Sequence, residues 1–227
     1  MTEQALNLYG DHVPEDHDGR YGVSISSQRR DWLDEGACRV LSGLVLSGST
    51  PRAMDLGCGD CAQALRMASL GAHVTGVDLA PAPPESACAA SGGRFVYIRQ
   101  LVELLPEMGR ESFDVVLMQR SIHYVRPRNA IRLMDVIYSI LKRGGHLFVS
   151  ASGLNSELGC EYPAQSLAWA ERFHRLSPEM AQKHRIFAPV CLYDQNDLRR
   201  LIAGSGLSVE KLDISPFGNI KSCAVKP

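Results

Sequence analysis

The chain places Asp55-Leu56-Gly57-Cys58-Gly59 at the end of a short apolar run, Ala53 to Leu56, and just ahead of a helical pattern carried by Ala64, Leu65 and Ala68. Glycines at a strand-to-helix turn let the backbone approach a ligand closely, and the first N–H groups of the helix can meet its polar atoms. Asp78 follows 19 residues after Gly59, at the end of a second apolar run from His73 to Val77. A carboxylate there is placed to accept hydrogen bonds from both hydroxyls of a ribose. Strand, glycine turn, helix and acid together predict a nucleotide site.

Two kinds of ligand use such a site. Gly57-x-Gly59-x-x-Ala62 fits a dinucleotide fingerprint. Asp55 argues the other way, because it lies inside the strand, two residues before Gly57. A carboxylate at that point repels a pyrophosphate and attracts an ammonium or a sulfonium, so the sign of the charge selects S-adenosylmethionine over NAD.

The elements that must position these residues alternate along the chain. Leu33, Ala37, Val40, Leu41 and Leu44 form one face of a helix from about Gln28 to Leu46, preceded by an irregular arm. The runs Ala53–Leu56, His73–Val77, Phe95–Ile98, Phe113–Met118 and His146–Ser150 read as five strands with helical patterns between them. The strongest helical face joins Ala130, Leu133, Met134, Ile137, Ile140 and Leu141, with Lys142, Arg143 and Gly144 expected to cap its end. Such alternation implies a parallel sheet with helices on both faces.

Residues 151 to about 192 break the rhythm; Leu167, Ala170 and Phe173 suggest one helix in what reads as a lid-like insertion. Asp194 then caps a helix to Ile202, and the strands Leu207–Ile214 and Ile220–Val225 must be antiparallel, since only Ser215–Asn219 joins them. The expected organisation is an arm and cap helix over residues 1–49 and a core over 50–227.

On these motifs the sequence resembles the class I S-adenosylmethionine-dependent methyltransferases, over roughly residues 50 to 227. Asp55–Gly59 is similar to the family's first motif, Val77-Asp78-Leu79 to its second, Phe113–Leu117 to its fourth strand, and Leu141–Leu147 to the turn into the fifth. The resemblance implies an α/β, doubly wound, Rossmann-like sheet of seven strands in the order 3-2-1-4-5-7-6, with strand 7 antiparallel. It implies cofactor contacts from Asp55, Gly57, Cys58, Gly59, Asp78, Leu79, Gln100, Leu101 and Gln119. Many members carry a third glycine where this chain has Cys61, and an acid near Gln100. N-terminal segments in this family often cover the cofactor, which makes Arg30 a candidate for its carboxylate.

Methyl transfer is an in-line displacement, so the protein chiefly supplies alignment and desolvation. Residues after the fourth strand open onto the ligand crevice, and there the chain reads Gln119-Arg120-Ser121-Ile122-His123-Tyr124. His123 is the candidate general base and Tyr124 a candidate substrate contact; each also reads as an ordinary core residue. Arg120 reads either as a contact for an anionic substrate group or as a solvated arginine. Cys58-x-x-Cys61 sits inside the glycine turn and is read as coincidence, with no metal expected.

Composition limits the remaining choices. The 227 residues include 24 basic and 25 acidic side chains, for a net charge of −1, which disfavours general polyanion binding. The polar N-terminus lacks a secretory pattern, and seven cysteines read as reduced thiols, so a cytoplasmic protein is expected. The expected function is methyl transfer to a small molecule. Methylation of RNA or protein, or cofactor binding without turnover, are the alternatives.

Overall fold

The computed structural model describes Tyr21, residues 30–102 and residues 108–227. The arm before Gln28 and the helix start at Gln28 and Arg29 lie outside the described residues, Tyr21 excepted.

Strands β1 (Arg52–Leu56), β2 (His73–Asp78), β3 (Phe95–Arg99), β4 (Phe113–Gln119), β5 (Leu141–Ala151), β6 (Ser208–Ile214) and β7 (Ile220–Val225) form one sheet ordered β3-β2-β1-β4-β5-β7-β6. β1 to β5 pair in parallel, and β7 runs antiparallel to both β5 and β6. The expected fold class and strand order are what the chain adopts. β4 lies at the centre and buries Phe113, Val115, Val116, Leu117 and Met118, as a parallel strand covered on both faces should.

Strand alternation divides these side chains between two cores. On one face, α1 (Trp32–Leu46) and α2 (Ala62–Ser69) cover Ala53, Val115, Leu117 and Phe148. On the other, α4 (Pro127–Ile140) and α6 (Gln195–Gly204) cover Met54, Val116, Met118 and Leu147. The short α3 (Glu85–Ala90) lies between β2 and β3.

Helix α1 opens with a capping box, in which Asp31 accepts from the Leu33 N–H and Asp34 accepts from the Asp31 N–H. It therefore begins at Trp32. Helix α6 repeats the device with Asp194 and Asp197.

Two expected features differ. Gly144 does not cap α4. The helix stops at Ile140 because Leu141 is already extended, with φ −67° and ψ 137°. Lys142 is drawn to the Asp114 carboxylate at 2.8 Å, and the Gly144 N–H donates to the Lys226 carbonyl at 2.8 Å, so residues 142–145 join β5.

Between β5 and α6, the helix expected around Leu167–Phe173 is a single 3₁₀ turn, Trp169–Glu171. The Arg172 guanidinium occupies the Leu167 carbonyl through Nε at 3.2 Å and Nη2 at 2.9 Å, so that acceptor is lost to a helix. The α-helix of this segment is α5 (Pro178–His184), capped by Ser177 with proline at its first position. The segment has its own apolar centre of Tyr162, Leu176, Met180, Val190 and Leu192, with Tyr124 and Leu167 against it. Arg172, 6% exposed, ties it to α6 through Asp197 at 2.6 Å and the Leu192 carbonyl at 3.1 Å.

Candidate functional site

The glycine turn is held from three sides. Gly57 has φ +75°, and a Cβ there would stand 2.3 Å from the Ser121 Cβ, so glycine is required on two counts. Ser121 Oγ donates to the Leu56 carbonyl at 2.7 Å, bringing the residues after β4 against the turn. The N–H groups of Gly57 and Cys58 both donate to the Val77 carbonyl, at 2.7 and 3.3 Å. Cys61, at the start of α2, takes a left-handed φ of +62° without being glycine. Its Sγ lies 3.4 Å from that of Cys58, and both free thiols are buried.

Asp78 ends β2 and faces the turn. Its Oδ2 accepts from the Gly59 N–H at 2.7 Å and its Oδ1 from the Ala80 N–H at 2.9 Å. A carboxylate oxygen has two lone-pair sites, so each retains one for an incoming hydroxyl. Leu79 and Leu101, at the ends of β2 and β3, are 38% and 37% exposed, and Gln100 lies between Leu101 and the strand, its N–H on the Asp78 carbonyl at 2.8 Å.

Asp55 is 3% exposed, and no described residue donates a hydrogen bond to its carboxylate. Burial is the largest cause that raises its pKa to about 8; the nearby carboxylates of Asp34, Asp78 and Asp60 add to it. A desolvated carboxylate of this kind suits a cationic ligand group.

The structure adds residues that the sequence reading missed. Asp34 is 2% exposed, and Gln119 Nε2 donates to it at 3.1 Å and to Asp31 at 3.0 Å. Asp31 also pairs with Lys221 of β7. The signal available was Asp31-x-x-Asp34, the acidic form of a capping box.

The carboxyl ends of β1 to β4 thus bring together Asp55, Gly57, Cys58, Gly59, Asp78, Leu79, Gln100, Leu101 and Gln119. Arg30 stands apart, exposed just before α1. It lines a groove of 460 Å³ between α1 and α2 with Asp34, Glu35, Cys38, Arg39, Ser42, Arg66 and Leu70.

His123 and Tyr124 lie on a 3₁₀ turn, Ile122–Tyr124, beneath the segment that follows β5. The His123 carbonyl accepts from the Cys191 N–H at 2.7 Å, and its buried Nδ1 has no hydrogen-bond partner among the described residues. Burial first, then the Arg120 charge, pushes its pKa down to about 3, so the ring is neutral at physiological pH. The Tyr124 hydroxyl, its pKa raised by burial, donates to the Tyr21 carbonyl, and the two rings meet edge-on at 5.2 Å.

Sheet order, glycine turn and the acids at the ends of β1 and β2 define a class I S-adenosylmethionine-dependent methyltransferase. Residues 54–149 match the family model described as a methyltransferase domain. It is 30% identical over 139 residues to a ubiquinone biosynthesis O-methyltransferase of Vibrio cholerae, covering 60% of this chain and 54% of that protein. It is 32% identical over 152 residues to the protein of the same name from Hahella chejuensis, covering 63% and 59%. The chain therefore spans little more than half the length of these curated relatives. Among solved structures, it superposes on 1,6-didemethyltoxoflavin-N1-methyltransferase of Burkholderia thailandensis, which holds 1,6-didemethyltoxoflavin and S-adenosylhomocysteine, with a TM-score of 0.60. That match has 20% identity and covers 86% of this chain and 80% of the other.

Proposed function

We propose that this chain transfers a methyl group from S-adenosylmethionine to a small-molecule acceptor. The observation that carries the reading is Asp55, a buried carboxylate beneath the glycine turn with no described donor to satisfy it. The family cofactor brings an ammonium and a sulfonium, and its sulfonium supplies an electrophilic methyl group. Asp55, beside Gln119, would hold the amino-acid end, Asp78 would accept the ribose hydroxyls, and Leu79 and Leu101 would flank the base beside Gln100. Arg30 remains the candidate for the carboxylate.

His123, held neutral, does not store a proton at pH 7. As a neutral imidazole it would instead accept a hydrogen bond from the acceptor's O–H or N–H, fixing the nucleophile's direction. Tyr124 walls the same space. The segment over residues 151–192 acts as the lid that excludes water from it, on a core of residues 50–227. Relatives named for small-molecule methylation support a small acceptor, and a net charge of −1 does not favour RNA.

Calorimetry with S-adenosylhomocysteine and with NAD tests the cofactor; binding of NAD alone would overturn the reading. Release of S-adenosylhomocysteine with the low-molecular-weight fraction of a cell extract tests the acceptor. Turnover with only the macromolecular fraction would transfer the function to RNA or protein.

A further inference from the structure

Three side chains from three elements converge beside the glycine turn. β1 and β4 are in register at Asp55 and Leu117, and Gln119 lies two residues beyond Leu117. Side chains two apart on a strand share a face, so Asp55 and Gln119 both point toward α1. Asp34 of α1 meets Gln119 there at 3.1 Å and takes the Asp31 N–H at 2.9 Å.

Arg30, Arg39 and Arg66 line the groove beside Asp34, yet among the described residues no cation pairs with either buried carboxylate. Lys221 of β7 is spent on Asp31. Arg66 of α2 acts on Asp34 and Asp55 only as the weakest of their Coulombic influences. Among the described residues, neither Asp34 nor Asp55 has a cation at ion-pair distance. Two desolvated carboxylates near one another are costly unless a positive group joins them. The pKa of Asp34 is raised, by burial first, with Asp31 adding to the rise and the Asp31 N–H, Gln119 and Arg66 opposing it.

Building on the cofactor reading above, we infer that Asp34 is a second carboxylate for the cofactor's α-ammonium, aimed by Gln119 and facing Asp55. Gln119 spends its two N–H donors on Asp31 and Asp34 and so sets the Asp34 carboxylate against the crevice wall. Lys221 keeps Asp31 neutralised, which leaves Asp34 for the ligand. The site then recognises the amino-acid end of the cofactor through charge, separately from the nucleoside end at Asp78.

The test compares two ligands that share the nucleoside and thioether. S-Adenosylhomocysteine carries the ammonium; 5′-methylthioadenosine lacks the amino-acid end. Their affinities are measured on the full chain by calorimetry. Asp34→Asn keeps an acceptor for the Asp31 N–H, and it should weaken S-adenosylhomocysteine about tenfold, the effect of ~1.4 kcal/mol. Methylthioadenosine should change less than twofold.

If Asp34→Asn does not give a cooperative melt, Gln119→Met, which releases Asp34 from its aim, should lower the same affinity ratio about threefold. An unchanged ratio in the folded variant, or equal loss of both ligands, overturns the inference while leaving the cofactor reading in place. A wild-type chain that binds neither ligand overturns both.

Discussion

The two halves of the crevice are built by different means. At the proposed cofactor side, backbone N–H groups and short acidic side chains line the crevice, and Gly57 and Asp78 are held by partners at the ends of neighbouring strands. At the proposed acceptor side, the segment that follows β5 is built on large side chains, and Tyr162, Leu176 and Met180 gather around irregular backbone tied down by one buried arginine. A cofactor common to a family asks for fixed backbone positions. An acceptor particular to one enzyme asks only for a filled and shaped space, which many sequences supply. Damage on one side should therefore leave the other side's ligand nearly untouched.

The largest separation comes from Gly57→Ala. Strain at φ +75° and the overlap with Ser121 together amount to about 4 kcal/mol, so cofactor affinity should fall roughly 10³-fold. Adding Ser121→Gly should recover part of the loss, because it removes the atoms the new Cβ would meet. Calorimetry on the single and double variants measures it, and no recovery would mean that the Ser121 contact is not the cause.

Next in size is Arg172→Met, which strands Asp197 and the Leu167 and Leu192 carbonyls. Breaking one half of a buried pair costs about 3 kcal/mol or more. The expected result is faster proteolysis within residues 151–192 and a lower melting temperature, with cofactor affinity within about twofold. A large loss of cofactor affinity would erase the contrast between the two sides.

In its proposed role Asp78 makes two charge-assisted bonds to ribose, each worth about 1.5–3 kcal/mol, so Asp78→Ala should weaken S-adenosylhomocysteine roughly 10²-fold. Position alone suggests little effect on stability. The bonds to Gly59 and Ala80 say otherwise, and the apo melting temperature should drop as well. Asp78→Asn keeps an acceptor and should fall between.

The smallest effect sharpens the picture through pH. Asp55 has its pKa raised from the unfolded value to about 8, so folding favours its protonated form. That contribution to apo stability is present below the unfolded pKa near 4 and is lost as pH rises through about 8. A cationic ligand needs the ionised form. Affinity for S-adenosylhomocysteine should therefore climb by up to about tenfold per pH unit below 8, then level off, with about one proton released on binding at pH 7. Enthalpies measured in buffers of differing ionisation heat count that proton. His123, neutral from pH 5 to 9, should contribute no inflection near 6.5.

The same contrast explains what could be read from the chain. Gly57, Asp55 and Asp78 announce themselves because turn geometry and strand alternation are local properties, so the crevice followed from short motifs, and the strand order from the family resemblance that those motifs carry. Gly144 misled because its left-handed conformation suits a helix cap and a turn within β5 equally well, and only the distant Lys226 and Asp114 decide between them. Arg172 carried no signal, since its partners lie 20 and 25 residues away with no spacing rule to link them. Asp34 was hidden by its place on the buried face of a helix, where an acid reads as an interruption.

The position of β1 between β2 and β4 also sets an order of events during assembly. Its neighbour β4 is joined to it across 62 residues at Arg52 and Asp114, and across 65 residues at Leu56 and Ser121. Such long closures are slow to form, whereas the β1–α2–β2 unit is local. A refolding chain can make that first unit early, yet Gly57 acquires its cover from Ser121 only when the fourth strand docks. Cofactor affinity should thus arrive late in refolding, with the central sheet and not with the first crossover, and a bound nucleoside would report that the middle of the sheet has closed.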